Sequence, residues 1–385
     1  MRMSKTLVAV GATLALAACS DQSPVSGRAP EAAPLLSAGA GAIEGSYIVV
    51  LNEGADPRSV AAVAGVNPNY VYTSALNGFA AGLNEGQLNA LRHNPNVDYV
   101  EQDQAVEAAA TQSGATWGID RIDQRSRPLS GTYTYTSTAS TVYAYVIDTG
   151  IQTSHSNFGG RAAVSYDALG GNGQDCHGHG THVAGTIGSA TYGVAKGVRL
   201  RAVRVLNCSG SGSTSGIIAG IDWVRLNRTN PAVANLSLGG GYSSTLNTAV
   251  TNLANSGVFV AVAAGNSNAN ACNYSPASAS VVTTVAASTS TDARASYSNY
   301  GSCVDLYAPG SSILSTWING GTATLSGTSM ASPHVAGVAA RYKSTYGNAS
   351  TATIDAWIKS KATPNVITGN PAGTPNRLLY IGKAP

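Results

Sequence analysis

The chain runs to 385 residues, 43% of them hydrophobic and only 11% charged, with a net charge of +3. About 25% charged is usual for a soluble protein; here Gly, Ala, Ser and Thr fill the gap, while β-branched and apolar runs are frequent enough to exclude a disordered chain. No Lys/Arg-rich run or basic stripe is present, so composition gives no reason to expect nucleic acid as a partner.

Residues 1–19 read as an export signal. Arg2 and Lys5 supply a positive start, and "TLVAVGATLALAA" is apolar but too short, and too closely followed by polar residues, to span a bilayer stably. Two endings compete. "LAAC", Leu16 to Cys19, is similar to a bacterial lipobox, in which Cys19 is lipidated and becomes the new N-terminus; Ala15-Leu16-Ala17 would instead serve an ordinary signal peptidase. The leucine three residues before the cysteine favours the lipobox. Export would place the other four cysteines in an oxidising compartment. Residues 20–43, rich in Ala, Ser, Gly and Pro, read as a flexible tether.

The stretch 44–109 predicts a compact α+β unit. "GSYIVVLNEG" reads as a strand, "PRSVAAVAGV" as a helix, "YVYTSALNGFAAGL" as strand, turn and strand, "NEGQLNALRHNP" as a helix started by Asn84, and "VDYVEQDQAVEA" as a closing strand. That order is β-α-β-β-α-β. "AAATQSGAT", 108–116, has little reason to be ordered and suits a cleavable junction.

Beyond it, apolar β-branched runs alternate with helical segments. "TVYAYVID", "LRAVRVL", "PAVANLSL", "VFVAVAAG" and "VVTTVAAS" are separated by "HGTHVAGTIGS", "SGIIAGIDWVRLN" and "STLNTAVTNLANS", and "SMASPHVAGVAARYKSTY" follows. Runs apolar on both faces imply an α/β fold whose mostly parallel sheet is covered by helices on both sides. Functional residues are then expected at the carboxyl ends of strands.

Three places carry chemistry. Asp148 ends the strand "VYAYVI" and taken alone would be a turn aspartate. "DCHGHGTHVAGT" holds Cys176, His177, His179 and His182, half of the chain's six histidines. Ser329, in "SGTSMASPHVAG", stands where a Gly-containing loop enters a helix, ordinarily a capping position, and Pro333 suits an early helical position rather than an interior one. Asp, His and Ser on the edges of one α/β domain are the parts of a nucleophilic triad: the hydroxyl needs a base, and the base needs a carboxylate to fix its tautomer. A metal site from Cys176, His177, His179 and His182 competes, but the first histidine pair lacks i, i+4 spacing and no acidic partner completes a metallopeptidase arrangement.

"VIDTGI", "HGTHVAGT" and "GTSMASPHVAG", in that order, resemble the three active-site motifs of subtilisin-like serine proteases. The resemblance is to the proteinase K branch, its aqualysin-like members above all, and extends over roughly 110–385 through "SLGGGYSS", "AVAAGN", "NYSPAS" and "SNYGSCVDLYAPG". Residues 44–107 resemble, more weakly, the inhibitor-type propeptide of the same family through "YIVVL" and "GFAAGL". The resemblance implies a subtilisin-like peptidase domain over 110–385, with Asp148 as orienting carboxylate, His179 as general base and Ser329 as nucleophile. Asn266 and the Ser329 amide would form the oxyanion hole. His182 is expected to pack behind the base, and His177 to be exposed. Gly210, Ser211 and Gly212 would pair with an extended substrate. Ser237, Leu238 and Gly239 would wall an apolar specificity pocket with Ala263, Ala264 and Gly265. The loss of Asp148, His179, Ser329 or Asn266 would have pointed to an inactive binding relative, and none is lost.

The resemblance further implies disulfides Cys176–Cys208 and Cys272–Cys303, each closing a loop worth roughly 3–4 kcal/mol as an upper estimate on the chain-entropy argument. It implies structural Ca²⁺ at two places: Asp305 with the carbonyls of Ser280 and Val282, and a second set from Asp120, Asp123, Gln124, Ser130 and Thr132. In the second set, Asp120 and Asp123 could equally be a solvated face paired with Arg121 or Arg125. The expected activity is broad endopeptidase cleavage by an exported, monomeric mature domain. Its partners are protein and peptide substrates and its own propeptide, cut near Ala109–Ala110, so that a precursor held through Cys19 releases a soluble enzyme.

Overall fold

The computed structural model describes residues 32–37, 42–104 and 109–382; the signal stretch and Cys19 lie outside them. Among the described residues, no helix is long and apolar enough to cross a membrane. The chain divides into two compact units, the first ending at Gln104 and the second starting at Ala105.

The first unit contains β1 (Leu35–Leu36), β2 (Ala42–Leu51), α1 (Pro57–Val63), β3 (Tyr70–Tyr72), β4 (Gly78–Gly82), α2 (Glu85–Arg92) and β5 (Val97–Gln104), with the sheet ordered β1-β5-β2-β4-β3. Both helices start on side-chain caps. Asp56 accepts from the amides of Arg58 and Ser59, with Pro57 at the first helical position. Asn84 and Gln87 form a reciprocal capping box. Val49, Leu51, Val60, Phe79, Leu91 and Val100 fill the core. The expected β-α-β-β-α-β order holds, with one addition: Leu35 and Leu36, inside the stretch read as a tether, pair in parallel with β5 at Val100 and Glu101.

The second unit begins with β6 (Ala110–Ser113), α3 (Trp117–Asp123), β7 (Thr132–Tyr135), β8 (Tyr143–Asp148), β9 (Ala162–Asp167), α4 (His179–Gly188), β10 (Arg199–Arg204) and α5 (Thr214–Asn227). It continues with β11 (Ala232–Leu236), β12 (Gly240–Gly241), α6 (Ser244–Asn255), β13 (Phe259–Ala263), β14 (Tyr274–Ser275), β15 (Thr283–Ser288), β16 (Leu306–Pro309), β17 (Ile313–Thr316) and β18 (Thr322–Leu325). It closes with α7 (Thr328–Tyr346), α8 (Thr351–Lys361), β19 (Thr363–Pro364) and β20 (Arg377–Leu378).

Nine strands form the main sheet in the order β19-β20-β16-β15-β13-β11-β8-β10-β9. The pairings from β20 through to β9 are all parallel. Successive residues of β8 show why its sequence is apolar without alternation. Ala144 and Val146 enter the core shared with α4 and α7, while Tyr145 and Ile147 enter the core shared with α5 and α6. The carboxyl ends of β8, β11 and β13 are neighbours, and each leads into a segment read from sequence as functional.

Two expectations fail. Ala110–Ser113 does not lie loose in an unordered junction but pairs antiparallel with Thr132–Tyr135, because the β7 edge offers unpaired backbone donors and acceptors. Pro333 lies within α7 rather than at its start; what compensates it is part of the site.

Candidate active site

Asp148 is the last residue of β8 and is fully buried. Its Oδ1 accepts from the Nδ1–H of His179 at 2.7 Å and from the Thr149 amide at 2.8 Å. Oδ2 is buried without a partner among the described residues, which leaves those two donors to hold the carboxylate. His179 opens α4 and its side chain is 21% exposed. Burial opposes the imidazolium, but the Asp148 carboxylate and its hydrogen bond outweigh that, with Asp175 adding to them. The His179 pKa therefore stands above that of a free imidazole. The bond at Nδ1 fixes Nε2 as the free, proton-accepting nitrogen of the neutral ring.

Ser329 is the second residue of α7. Four residues on, Pro333 has no N–H to give, so the Ser329 carbonyl loses its helical donor. Ser237, just beyond β11, supplies one: its Oγ donates to the Ser329 carbonyl at 2.7 Å. The Ser329 Oγ in turn donates to the Ser237 carbonyl at 3.1 Å. Ser237 Oγ is itself fixed by the Asn235 amide at 2.9 Å, and Asn235 by the Ser332 hydroxyl at 2.6 Å. The helix defect that looks costly in sequence thus ties the serine to the end of β11.

Asn266 follows β13. Its Oδ1 accepts from the Thr328 amide at 2.8 Å and the Thr328 hydroxyl at 3.0 Å. Holding the oxygen fixes which end of the amide is oxygen and leaves Nδ2 as a donor. Asn266 and Ser329 line one cavity of about 220 Å³ with Leu238, Gly239, Ala263, Ala264 and Gly265. A second, of about 450 Å³, is lined by His179, Ser237, Leu238, Gly239 and the Gly210–Gly212 segment. All nine residues expected to line substrate therefore fall on two cavities that share Leu238 and Gly239. Both expected disulfides are present, Cys176–Cys208 with Cα atoms 5.0 Å apart and Cys272–Cys303 with 5.3 Å. The first joins the residue before His177 to the residue before Ser209, and so links the two walls of the larger cavity.

The metal reading of the histidine stretch fails on the partners each residue has. Cys176 is in the disulfide. His179 is bound to Asp148. His182 is fully buried, its Nε2–H pointing at the carbonyls of Ile313 and Ala323 at 3.0 and 3.1 Å, and burial lowers its pKa to about 4. His177 is not free in solvent but half-buried on the cavity wall. Its Nδ1 accepts from the His179 amide at 3.3 Å, and its ring lies 6.5 Å from that of Trp317. Trp317 also explains Gly178, whose φ of +109° and whose missing Cβ, which would stand 2.4 Å from the indole, leave glycine as the residue that fits.

The two expected calcium sets differ. Around Ser130, hard oxygens gather: its hydroxyl is 3.0 Å from Asp120 Oδ1 and 2.8 Å from the Thr132 hydroxyl, and its amide donates to Gln124 Oε1 at 3.0 Å. Asp123 is turned aside, its Oδ2 accepting from the Thr134 amide at 2.7 Å. Asp120 and Asp123 are buried, and Arg121 pairs with Asp292 at 2.7 Å, so the solvated-face alternative is wrong. Asp120 Oδ2 accepts from the Gly131 amide at 2.7 Å, so this carboxylate faces neutral donors rather than a cation, and the oxygens of the loop are of the kind Ca²⁺ takes. The Asp305 set does not fit. Its Oδ2 accepts from the Thr284 amide at 2.7 Å and its Oδ1 is 2.6 Å from Lys359 Nζ, so a cationic group already stands against the carboxylate. Among the described residues, no three His, Cys, Asp or Glu side chains are grouped to hold a metal.

One functional residue escaped the sequence reading. Asp175 is buried and accepts five hydrogen bonds of 2.6 to 2.9 Å: from the Thr149 hydroxyl, the amides of His177, Gly178 and Thr181, and the Thr181 hydroxyl. Thr149 in turn accepts from the Gly180 amide at 2.8 Å. Asp175 thus caps α4 from outside the usual capping position and joins the end of β8 to the start of α4. The signal was an aspartate before a helix, three residues earlier than a cap should be. Asp175→Asn is expected to lower the His179 pKa, by removing an anion that favours the imidazolium, and to loosen the Asp148–His179 hydrogen bond. NMR titration of the imidazole protons reads both; an unchanged titration would show that Asp175 acts only on folding.

Residues 140–378 match the subtilase family, and residues 46–109 match the peptidase inhibitor I9 family. An extracellular serine proteinase of Thermus sp. (strain Rt41A) is 52% identical over 95% of this chain and 96% of its own length. Proteinase R of Parengyodontium album is 47% identical over 91% and 92%. A crystal structure of a cold adapted subtilisin-like serine proteinase superposes with a TM-score of 0.68 at 53% identity, covering 70% of this chain and 98% of that one. The motif order, the parallel sheet with Asp148, Ser237 and Asn266 at or just beyond three neighbouring strand ends and these matches lead to one conclusion: the chain belongs to the subtilase family of serine peptidases and carries an I9-type inhibitor unit ahead of its peptidase domain.

Proposed function

We propose that the chain is an exported endopeptidase of broad specificity that cuts its own precursor near Ala109–Ala110. The observation that carries the reading is the 2.7 Å bond from His179 Nδ1–H to buried Asp148, which leaves Nε2 as the base. The Ser329 hydroxyl turns from the Ser237 carbonyl to His179, loses its proton to Nε2 and attacks the peptide carbonyl. The developing oxyanion takes hydrogen bonds from Asn266 Nδ2 and from the Ser329 amide, one of the first amides of α7 and without an intrahelical acceptor. His179 then gives its proton to the leaving amine, and water releases the acyl group by the same steps in reverse. Asp148 remains ionised throughout, holding the ring and offsetting the imidazolium charge.

Substrate would enter extended along Gly210–Gly212, where small residues admit a peptide backbone. The uncharged, small-residue cavity beyond Ser329 supports a preference for apolar or aromatic side chains. The I9-type unit would inhibit the peptidase domain until it is removed. The Leu16–Cys19 pattern supports a lipid-held precursor, since a cut near Ala109–Ala110 leaves Cys19 and Ser329 on different products.

Ser329→Ala is expected to leave the precursor uncut when the chain is made in a host lacking other proteases, as read by its mass. A mature product beginning near Ala110 would refute self-processing. Asn266→Ala should lower kcat by roughly 10²–10³ with little change in KM, a magnitude taken from subtilisin in the same family and not from this chain; steady-state kinetics on a chromogenic peptide measure it.

Ca²⁺ at the loop of Asp120, Gln124, Ser130 and Thr132, with Asp123 turned aside, would tie α3 to the turn before β7 and would touch none of Asp148, His179 and Ser329. Chelation is therefore expected to shorten the half-life on heating while leaving the initial rate unchanged, and Asp120→Asn to abolish the difference between calcium and chelator. Equal half-lives for the parent chain under both conditions would remove the ion from this loop.

A further inference from the structure

Lys359 stands against the carboxylate to which the resemblance assigns a calcium ion. On α8 it lies four residues after Asp355, and its Nζ is 2.6 Å from Asp355 Oδ2 and 2.6 Å from Asp305 Oδ1. Asp305 is fixed across two strands' worth of backbone: its amide donates to the Thr284 carbonyl at 2.9 Å and its Oδ2 accepts from the Thr284 amide at 2.7 Å. Asp355 is fixed by the Thr283 hydroxyl, which donates to Oδ1 at 2.9 Å. All three charged side chains are half-buried, 22–27% exposed, where ion pairs are screened less than on an open surface. Calcium bound to a carboxylate oxygen sits about 2.3–2.6 Å from it. The ammonium stands 2.6 Å from Asp305 Oδ1, within that range, and would repel a divalent ion at the same oxygen.

We infer that in this chain a covalently tethered cation, Lys359, bridging Asp305 and Asp355, takes the role at Asp305 that the resemblance gives to an exchangeable divalent ion. An ammonium needs no dissolved ion to fill its place, so the join between the start of β16, the start of β15 and α8 holds at any calcium concentration. Its three donors also suit two separate carboxylates, whereas Asp305 alone presents one. Removing the ammonium leaves two carboxylates facing one gap, a stronger attractor for calcium than Asp305 by itself.

The inference rests on the reading of the chain as a calcium-using subtilase only for the Ser130 loop, and the test separates the two. Mature protein, inactivated with a serine-directed phosphonate so that it cannot digest itself, is dialysed against calcium. Bound calcium per chain is counted by elemental mass spectrometry, and Tm is read with and without calcium. Asp305→Asn is expected to leave the calcium count of the parent chain unchanged. Lys359→Ala should bind one more calcium than the parent and show a larger rise of Tm on adding calcium. Asp305→Asn in the Lys359→Ala background should remove that extra ion. Loss of calcium from the parent chain on Asp305→Asn, or no gain on Lys359→Ala, overturns the inference. A parent chain holding no calcium at all would instead refute the Ser130 loop while leaving the Lys359 comparison readable.

Discussion

The buried carboxylate of Asp175 is the constraint on which the site's geometry turns. The bond from His179 to Asp148 joins two side chains from different elements, one at a strand end and one at a helix start. Nothing in β8 or α4 alone sets that distance. Asp175 does, because it takes donors from Thr149 on one side and from Gly178 and Thr181 on the other. It also satisfies amides at the α4 N-terminus that would otherwise be orphaned, so positioning and helix capping are one set of hydrogen bonds. The carbonyls of Thr181 and His182 are secured from the opposite side by the hydroxyls of Thr316 and Ser315 at 2.8 and 2.9 Å. Gly185 permits this approach, since a Cβ there would stand 2.1 Å from the Thr316 hydroxyl.

The serine is placed by a different logic. Pro333 removes one helical hydrogen bond, and the vacated acceptor is met by Ser237 from the end of β11. A proline interior to a helix costs about 3 kcal/mol when the lost bond is not replaced; here the acceptor is satisfied, and the first turn of α7 is referenced to the sheet. Asn266 is referenced in the same way through Thr328. Ser329 and Asn266 are thus each tied between a strand end and α7 by a neighbour's polar atom rather than by packing alone.

Much of this was legible in sequence for identifiable reasons. Strands buried on both faces carry few charged residues and no alternation, so β8, β11, β13 and β15 were legible at once; β10, with three arginines, was legible from its Leu-Ala-Val core. The words around Asp148, His179 and Ser329 are local, so each could be located before the fold was known. What stayed hidden depends on residues far apart in the chain. Pro333 broke a local rule because its compensation, Ser237, lies 92 residues from Ser329. Lys359 is an ordinary i, i+4 partner of Asp355 on paper, and only the fold brings Asp305 to it. The sequence resemblance placed calcium at Asp305 because it matched the ligand without seeing the lysine. Ala110–Ser113 looked unordered because it carries no apolar pattern; its pairing with β7 is made by backbone atoms.

The strand order of the large sheet has a consequence for rates. Val146, near the centre, pairs with Ala202 and Asn235, closing loops of 202 − 146 = 56 and 235 − 146 = 89 residues. The order is far from sequential, and β20 near the end of the described chain must still find β16. Such pairings lose chain entropy before contacts repay it, so the transition state lies high and folding is slow. The first unit ends at Gln104 and precedes every strand of the large sheet in synthesis. For a peptidase surrounded by copies of itself, what happens in the open state sets the working lifetime, and a topology that is slow to reassemble leaves each opened chain exposed to cleavage for longer.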